Sequence, residues 1–208
     1  MSQILPSPEE LAAHAAAEPE YAGWLRGRGP LQHSVQTQAA VFRVAHQLVQ
    51  YGLQPDLASV YRLFGALDRL TCAGLWLVAH MTYARRVRLD GAPLQAEDFK
   101  SQPEGHTGGA LNMVPAYAGY LALNALSGKT RGWLMGQGHC VAAIDALNVL
   151  TGNLHPEQAA AYGNGEAGLD RLVQDFYSYA QAPEGKVGAP LGSHVNPHTA
   201  GGIAEGGY

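Results

Sequence analysis

Most of the chain alternates apolar and polar positions in the way that helices do. Residues 36–51 carry an apolar stripe that ends where Gly52 and then Pro55 would stop a helix. Residues 59–86 are largely apolar with spaced arginines and histidines, and they predict one or two further helices. The pattern therefore predicts mainly helical structure over this part of the chain.

A shorter helix is predicted over residues 7–17. Its start carries Ser7 and, three residues on, Glu10, which is the spacing of a capping box. The remaining predicted helices lie at 95–100, at 111–127, at 140–151, from 155 onward and at 165–179. Residues 181–208 are rich in glycine and proline, and we expect either a flexible end or a loop that leads into a further element.

One stretch has the pattern of a strand. Residues 131–136 are short, apolar and bounded by glycine, and they run through 137–139 into the predicted helix at 140–151. A strand followed by a glycine turn and a helix is typical of ligand sites in α/β proteins. The chain is therefore predicted to be α/β, helix-rich, with an incomplete sheet.

Composition narrows the class of protein. The chain has 208 residues, of which 47% are hydrophobic and 14% charged, so most of it should pack into one sizeable domain. A net charge of -4 without a basic tract argues against a nucleic-acid partner. Cys72 and Cys140 lack metal-type spacing and are expected to be reduced. No secretory signal or membrane-length apolar run is visible, so we expect a cytoplasmic protein without a membrane partner.

Two Gly-His steps carry the candidate chemistry. His106 and His139 each follow a glycine and precede a predicted helix, and His194 lies in the glycine-rich C-terminal segment. The first turn of a helix leaves N–H groups free for an anion, and an imidazole beside it can donate to phosphate or move a proton. This arrangement predicts a site for a phosphorylated ligand built from separate loops. The histidines show no zinc-type spacing.

Four stretches of the chain carry motifs in a fixed order. The first is Gly-His-Thr-Gly-Gly-Ala-Leu-Asn, which follows Pro-Leu-Gln-Ala-Glu-Asp-Phe-Lys, and the second is Gly-Gln-Gly-His before a predicted helix. The third is Glu-Ala-Gly-Leu-Asp-Arg-Leu-Val-Gln-Asp-Phe, and the last contains Ser-His and Ile-Ala-Glu-Gly-Gly. They lie at 93–112, 136–139, 166–176 and 192–207. Together and in this order they resemble the N-terminal part of thiamine-diphosphate-dependent phosphoketolases, within the transketolase superfamily.

The resemblance implies a carbon–carbon lyase. The family cleaves xylulose 5-phosphate or fructose 6-phosphate with inorganic phosphate to acetyl phosphate and an aldose phosphate, using thiamine diphosphate and Mg²⁺. The resemblance places His106, His139 and His194 around the sugar phosphate. Gly207, with His106 and His139, would contact the cofactor. The complete protein would form a homodimer.

The resemblance also implies a domain organisation. Residues 1–90 would form an N-terminal arm and helices, and 91–208 the first part of the thiamine-diphosphate-binding domain. The family's cation ligands, a Gly-Asp-Gly segment and a later Asn, find no counterpart in this sequence. We therefore expect the metal ligands to lie beyond this chain and the isolated 208-residue chain to be inactive.

Departures from the family pattern keep two alternatives open. The first Gly-His loop is two residues shorter than in phosphoketolases and lacks their Trp, which brings it closer to transketolases. His198, Ala204 and Tyr208 also differ from the residues that phosphoketolases usually carry. The chain could thus belong to a transketolase-type two-carbon transferase, or be an inactive truncated or interaction fragment.

Overall fold

The computed structural model describes residues 5–103, 105–133, 140–154 and 156–176. These residues form helices joined by turns and loops. In chain order the helices are α1 (Pro8–Ala17), α2 (Pro19–Leu25), α3 (Val35–Gln50), α4 (Leu57–Tyr83), a 3₁₀ turn (Ala96–Asp98), α5 (Thr107–Ser127), α6 (Val141–Thr151), α7 (Pro156–Ala161) and α8 (Glu166–Asp175).

Of the predicted fold class, the helix-rich character is confirmed, whereas the sheet of an α/β fold is not found in the described residues. Over the described residues the chain is all-helical, and β pairing is limited to isolated bridges such as Ala84↔Phe99. The candidate strand at 131–136 is not a strand over 131–133, and its remaining residues lie outside the described part. A strand needs a neighbouring backbone, but the carbonyl of Arg131 accepts instead from the hydroxyl of Tyr120.

The chain clusters into two compact units. The first comprises the described residues of Met1–Cys72 and Leu121–Lys129, and the second those of Ala73–Tyr120 and Thr130–Tyr208. The domain boundary expected at residue 90 stays a prediction.

The first unit is built around aromatic side chains. The predicted capping box is confirmed: Ser7 N donates to Glu10 Oε2 at 2.7 Å, and Glu10 N donates to Ser7 Oγ at 3.2 Å. The sequence prediction missed α2, which starts at a proline in its first turn and contributes two core aromatics. The buried core comprises Leu11, Tyr21, Trp24, Ala39, Val41, Ala45, Val60 and Tyr61.

The half-buried ring of His14 packs against this aromatic core. Its ring lies 4.7 Å from the ring of Phe42 and 4.9 Å from that of Tyr21. Its Nε2 lies 2.8 Å from the hydroxyl of Tyr61. Burial, and next the neighbouring His46, lower the pKa of His14. The neutral form of His14 therefore fits this core best.

The second unit packs around α6, which is buried along almost its whole length from Val141 to Val149. Gly74 of α4 permits this packing. A Cβ at Gly74 would lie 2.7 Å from Leu147 Cδ2 and 2.9 Å from Val114 Cγ1. Both neighbours are buried core side chains, so a larger residue at 74 would push the helices apart.

Helix α8 binds the segment 85–89 through side chains spaced four apart. Glu166 Oε2 accepts from Leu89 N at 3.2 Å and Asp170 Oδ1 from Val87 N at 2.6 Å, while Gln174 Nε2 donates to Arg85 O at 3.1 Å. Four helical residues rise about 6 Å, close to the ~6.6 Å between alternate residues of an extended chain. The side chains of α8 thus take the place of a neighbouring strand.

Candidate functional site

His106 is the N-cap residue of α5 and directly precedes its first helical residue. Its carbonyl accepts from Ala110 N at 3.1 Å, and its Nδ1 accepts from Gly109 N at 3.2 Å. The imidazole therefore caps the helix in the manner of an N-cap side chain. Because Nδ1 acts as the acceptor, the neutral ring in this geometry carries its proton on Nε2. The side chain is exposed, so this N–H donor lies at the surface.

Gly105 fixes the direction in which the chain enters α5. Its φ of +117° lies in a region that favours glycine. A Cβ at this position would lie 3.0 Å from the ring of Phe176 and 3.4 Å from the hydroxyl of Thr82. Both of these neighbours are buried. The Gly-His step is thus wedged against the C-terminal ends of α4 and α8.

Lys100 joins these same two helix ends. Its Nζ donates to Met81 O at 2.7 Å and to Phe176 O at 3.3 Å, and lies 5.7 Å from the centroid of the Phe176 ring. A cation close to the terminal carbonyls of helices satisfies their free acceptors. Thr107 adds a hydroxyl contact to Tyr83 at 3.3 Å. The base of the loop is therefore held by polar contacts on both sides.

Asp98 anchors the approach to the loop. Its carboxylate is 6% exposed and accepts from Gln95 N at 2.9 Å and from Arg88 Nη2 at 3.2 Å. Arg86 Nε lies 3.4 Å away. The backbone hydrogen bond from Gln95, followed by Arg88 and Arg86, lowers the pKa of Asp98. Helix α4 stops at Tyr83, and Arg86 pairs with this carboxylate from the segment that follows.

The predicted site residues can be located only in part. His106 is at the start of α5 as expected. His139, His194 and Gly207 lie outside the described residues, as does the whole C-terminal stretch of the resemblance at 192–207. Their convergence with His106 stays a prediction.

The family assignment follows from the sequence around these elements. A family model described as the XFP N-terminal domain, the N-terminal part of phosphoketolases, matches residues 62–208. The chain belongs to this family. Searches of curated proteins and of solved structures returned no match.

Two stretches of the phosphoketolase resemblance, 93–112 and 166–176, pack against each other in the structure. In 166–176, Glu166 binds the backbone at Leu89, and Phe176 covers Gly105 at the start of 105–112. Gly168 is required by close packing, because a Cβ there would lie 2.4 Å from Gly163 N. The third stretch therefore acts as the scaffold of the first Gly-His loop.

Sequence reasoning missed two carboxylate acceptors that hold the backbone around this loop. Asp98 and Asp170 each accept backbone N–H groups, yet acidic residues in short polar runs are usually solvated. One signal was available for Asp170. It lies midway between Glu166 and Gln174 at steps of four residues, which places three polar side chains along one side of α8.

Within the residues that the structure describes, no group of three His, Cys, Asp or Glu side chains is placed to hold a metal ion. Among the helices that the structure describes, none combines the length and the hydrophobicity that a bilayer crossing requires.

Proposed function

We propose that this chain is the N-terminal part of a cytoplasmic, thiamine-diphosphate-dependent phosphoketolase. The parent enzyme cleaves xylulose 5-phosphate or fructose 6-phosphate with inorganic phosphate to acetyl phosphate and an aldose phosphate. The family match over residues 62–208 is the observation that carries this proposal. The placement of His106 at the start of α5 supports it, because the residue is exposed and held by its own helix.

His106 is suited to donate a hydrogen bond to an anionic or hydroxyl oxygen. Because Nδ1 accepts from Gly109 N, the neutral ring carries its N–H at Nε2. The helix that it caps begins with Thr107, Gly108 and Gly109, and a Cβ at Gly108 would meet nothing within 4 Å. Free N–H groups at such a helix start attract phosphate and carboxylate oxygens. In the proposal, this end of α5 and His106 together orient the sugar phosphate.

His139 and His194 complete the proposed set around the sugar phosphate, and Gly207 contacts the cofactor together with His106 and His139. Thiamine diphosphate, when bound, supplies the electron sink for carbon–carbon cleavage. The donor at His106 fits an anionic oxygen of such a ligand. Mg²⁺ prefers hard oxygen ligands, and the resemblance assigns these to sequence beyond this chain. The proposed parent is a homodimer.

A transketolase-type transferase is the second candidate, since the loop before His106 is shortened. The two differ in what accepts the two-carbon fragment. The protein that contains this chain would be supplied with xylulose 5-phosphate, thiamine diphosphate and Mg²⁺, and with either inorganic phosphate or an aldose phosphate. A parallel reaction would use fructose 6-phosphate.

Acetyl phosphate, trapped as its hydroxamate, that appears only with inorganic phosphate is the expected result. A longer ketose phosphate formed from the aldose phosphate, without acetyl phosphate, would support the transferase. No product from either mixture would favour the third reading, an inactive or interaction fragment.

A further inference from the structure

The first unit contains a cleft that the proposed function does not use. It has a volume of about 440 Å³ and lies along α2, the turn that follows α2, and α4. Ligand pockets in proteins commonly enclose about 300–1,000 Å³. Four arginines line this cleft together with two acids, in a chain whose net charge is -4. The arginines are Arg26, Arg28, Arg62 and Arg69.

Glycines bring two of these guanidinium groups close to the helices. A Cβ at Gly23 of α2 would lie 3.5 Å from Arg26 Nη2, and one at Gly65 of α4 would lie 3.7 Å from Arg69 Nη1. Each guanidinium therefore lies over the surface that a glycine leaves bare. Gly23 and Gly65 themselves line the cleft.

A tight turn after α2 holds Arg28, a further arginine of the cleft, in place. Arg28 pairs with Leu31, with Arg28 N donating to Leu31 O at 3.1 Å and Leu31 N to Arg28 O at 2.9 Å. Gly27 has a φ of +66°, and a Cβ there would lie 2.3 Å from Leu31 O. Only glycine fits this position without a shift of the backbone. The segment that carries Arg26 and Arg28 is thus held in one conformation.

The acids of the cleft already have partners. Glu20 lies 3.5 Å from Arg62 Nη1, and Asp68 lies 2.8 Å from His33 Nε2. The His33 ring stacks on Trp24 with 4.1 Å between centroids and 20° between planes, which ties Asp68 to the core. Within the described part of the chain, Arg26, Arg28 and Arg69 form no ion pair with a carboxylate. Positive charge is therefore left over on the cleft wall.

We propose that this cleft binds a small organic phosphate or diphosphate. Guanidinium groups from separate elements can each present paired N–H donors to phosphate oxygens. The cleft is concave and small, which suits a compact anion, and the negative net charge of the chain disfavours a nucleic acid. The proposal is independent of the phosphoketolase chemistry, since most of the lining residues precede the matched stretch at 62–208.

The test uses inorganic pyrophosphate as the probe and the 208-residue chain as the protein. Isothermal titration calorimetry should show binding, and Arg26→Gln and Arg69→Gln should each weaken it about tenfold, the value of one charge-assisted contact. Arg43→Gln is the matched control, because it removes the same charge from α3 of the same unit outside this cleft. It should change affinity by less than about twofold.

Gly65→Glu separates lost binding from lost folding. The new carboxylate would lie four residues before Arg69 on α4, a spacing that favours pairing, and glycine is a poor helix former. We expect the unfolding temperature to be at least that of the wild type and pyrophosphate binding to be lost. The proposal is overturned by any of three results: no binding by the wild type, equal weakening in Arg43→Gln, or wild-type affinity in both the Arg26 and Arg69 variants.

Discussion

The loop before α5 and the arginine cleft place their polar groups in opposite ways. At the loop, buried groups such as Asp98 hold the backbone, and the candidate donor His106 stands exposed on that frame. At the cleft, a buried aromatic core that includes Trp24 and Tyr61 supports the backbone. Exposed arginine side chains lie over helix surfaces where glycines carry no side chain. The loop therefore depends on satisfied hydrogen bonds, whereas the cleft depends on apolar packing.

Different substitutions and different pH ranges should therefore destabilise the two regions. Removing an acceptor or adding volume to the scaffold of the loop should destabilise the second unit. Acid should affect the two regions in different pH ranges, because the loop holds a carboxylate and the core beside the cleft holds an imidazole.

The largest expected effect is that of Gly168→Ala. The added methyl would lie 2.4 Å from Gly163 N and 2.6 Å from Gly163 O, and backbone atoms cannot move aside cheaply. We expect a loss of about 3 kcal/mol in the free energy of unfolding, measured by urea denaturation. Gly165→Ala is the control, since a Cβ there meets nothing within 4 Å. Equal stability of both variants would show that α8 is not held as described.

Asp170→Ala should have the next largest effect. It removes the acceptor of Val87 N, whose residue is 1% exposed, and leaves a buried donor unpaired. Such a group costs about 1–3 kcal/mol, so urea denaturation should show a loss in this range. Arg171→Ala, which removes an exposed pair with Asp175 and a contact 5.9 Å from the centroid of the Tyr162 ring, should cost less than about 1 kcal/mol. A smaller loss for Asp170→Ala than for Arg171→Ala would refute the strand-like role of α8.

Acid should weaken the contribution of Asp98. Its folded pKa is lowered, so its stabilisation is present above the ordinary carboxyl pKa of about 4 and is lost as the pH falls through the folded value. The difference in urea midpoint between the wild type and Asp98→Asn should therefore shrink below about pH 4. A difference that stays constant down to the acid limit would contradict the proposed anchoring by Arg88 and Gln95.

The smallest effect is expected at His14. Its folded pKa lies below the ordinary value of 6.5, so as the pH falls the unfolded chain takes up a proton first and stability decreases. This loss starts near pH 6.5, above the range in which Asp98 acts. NMR titration of the imidazole protons should give a pKa below 6.5 for His14. A value above that would place the ring in solvent or beside an acid.

Local signals in the sequence predicted local structure well. Ser7 and Glu10 lie three residues apart and form the predicted capping box, and Gly52 follows Tyr51, the C-cap residue of α3. The Gly-His step at 105–106 was predicted to precede a helix and does so, although α5 begins at Thr107, four residues before the predicted start at 111. A cap or a helix end can be predicted from the sequence when the residues that determine it lie within one turn of each other.

Contacts between distant residues could not be predicted in the same way. Nothing near His33 in the sequence indicates its place in the fold, because Asp68, which holds it beside Trp24, lies 35 residues away. The strand expected from residue 131 was favoured by composition, yet its described part bonds to the hydroxyl of Tyr120. The arginines of the cleft come from the turn that follows α2 and from α4, and no spacing in the sequence relates them.

The central claim, that His106 serves the reaction and not only the helix, is tested most directly by His106→Asn. Asparagine is a good N-cap, so this change keeps the start of α5 and removes the imidazole. In the protein that contains this chain, the unfolding temperature should stay unchanged. The rate of acetyl phosphate formation should fall about 100-fold or more, as expected for a lost proton-transfer or donor group. A folded variant with the wild-type rate would contradict the account.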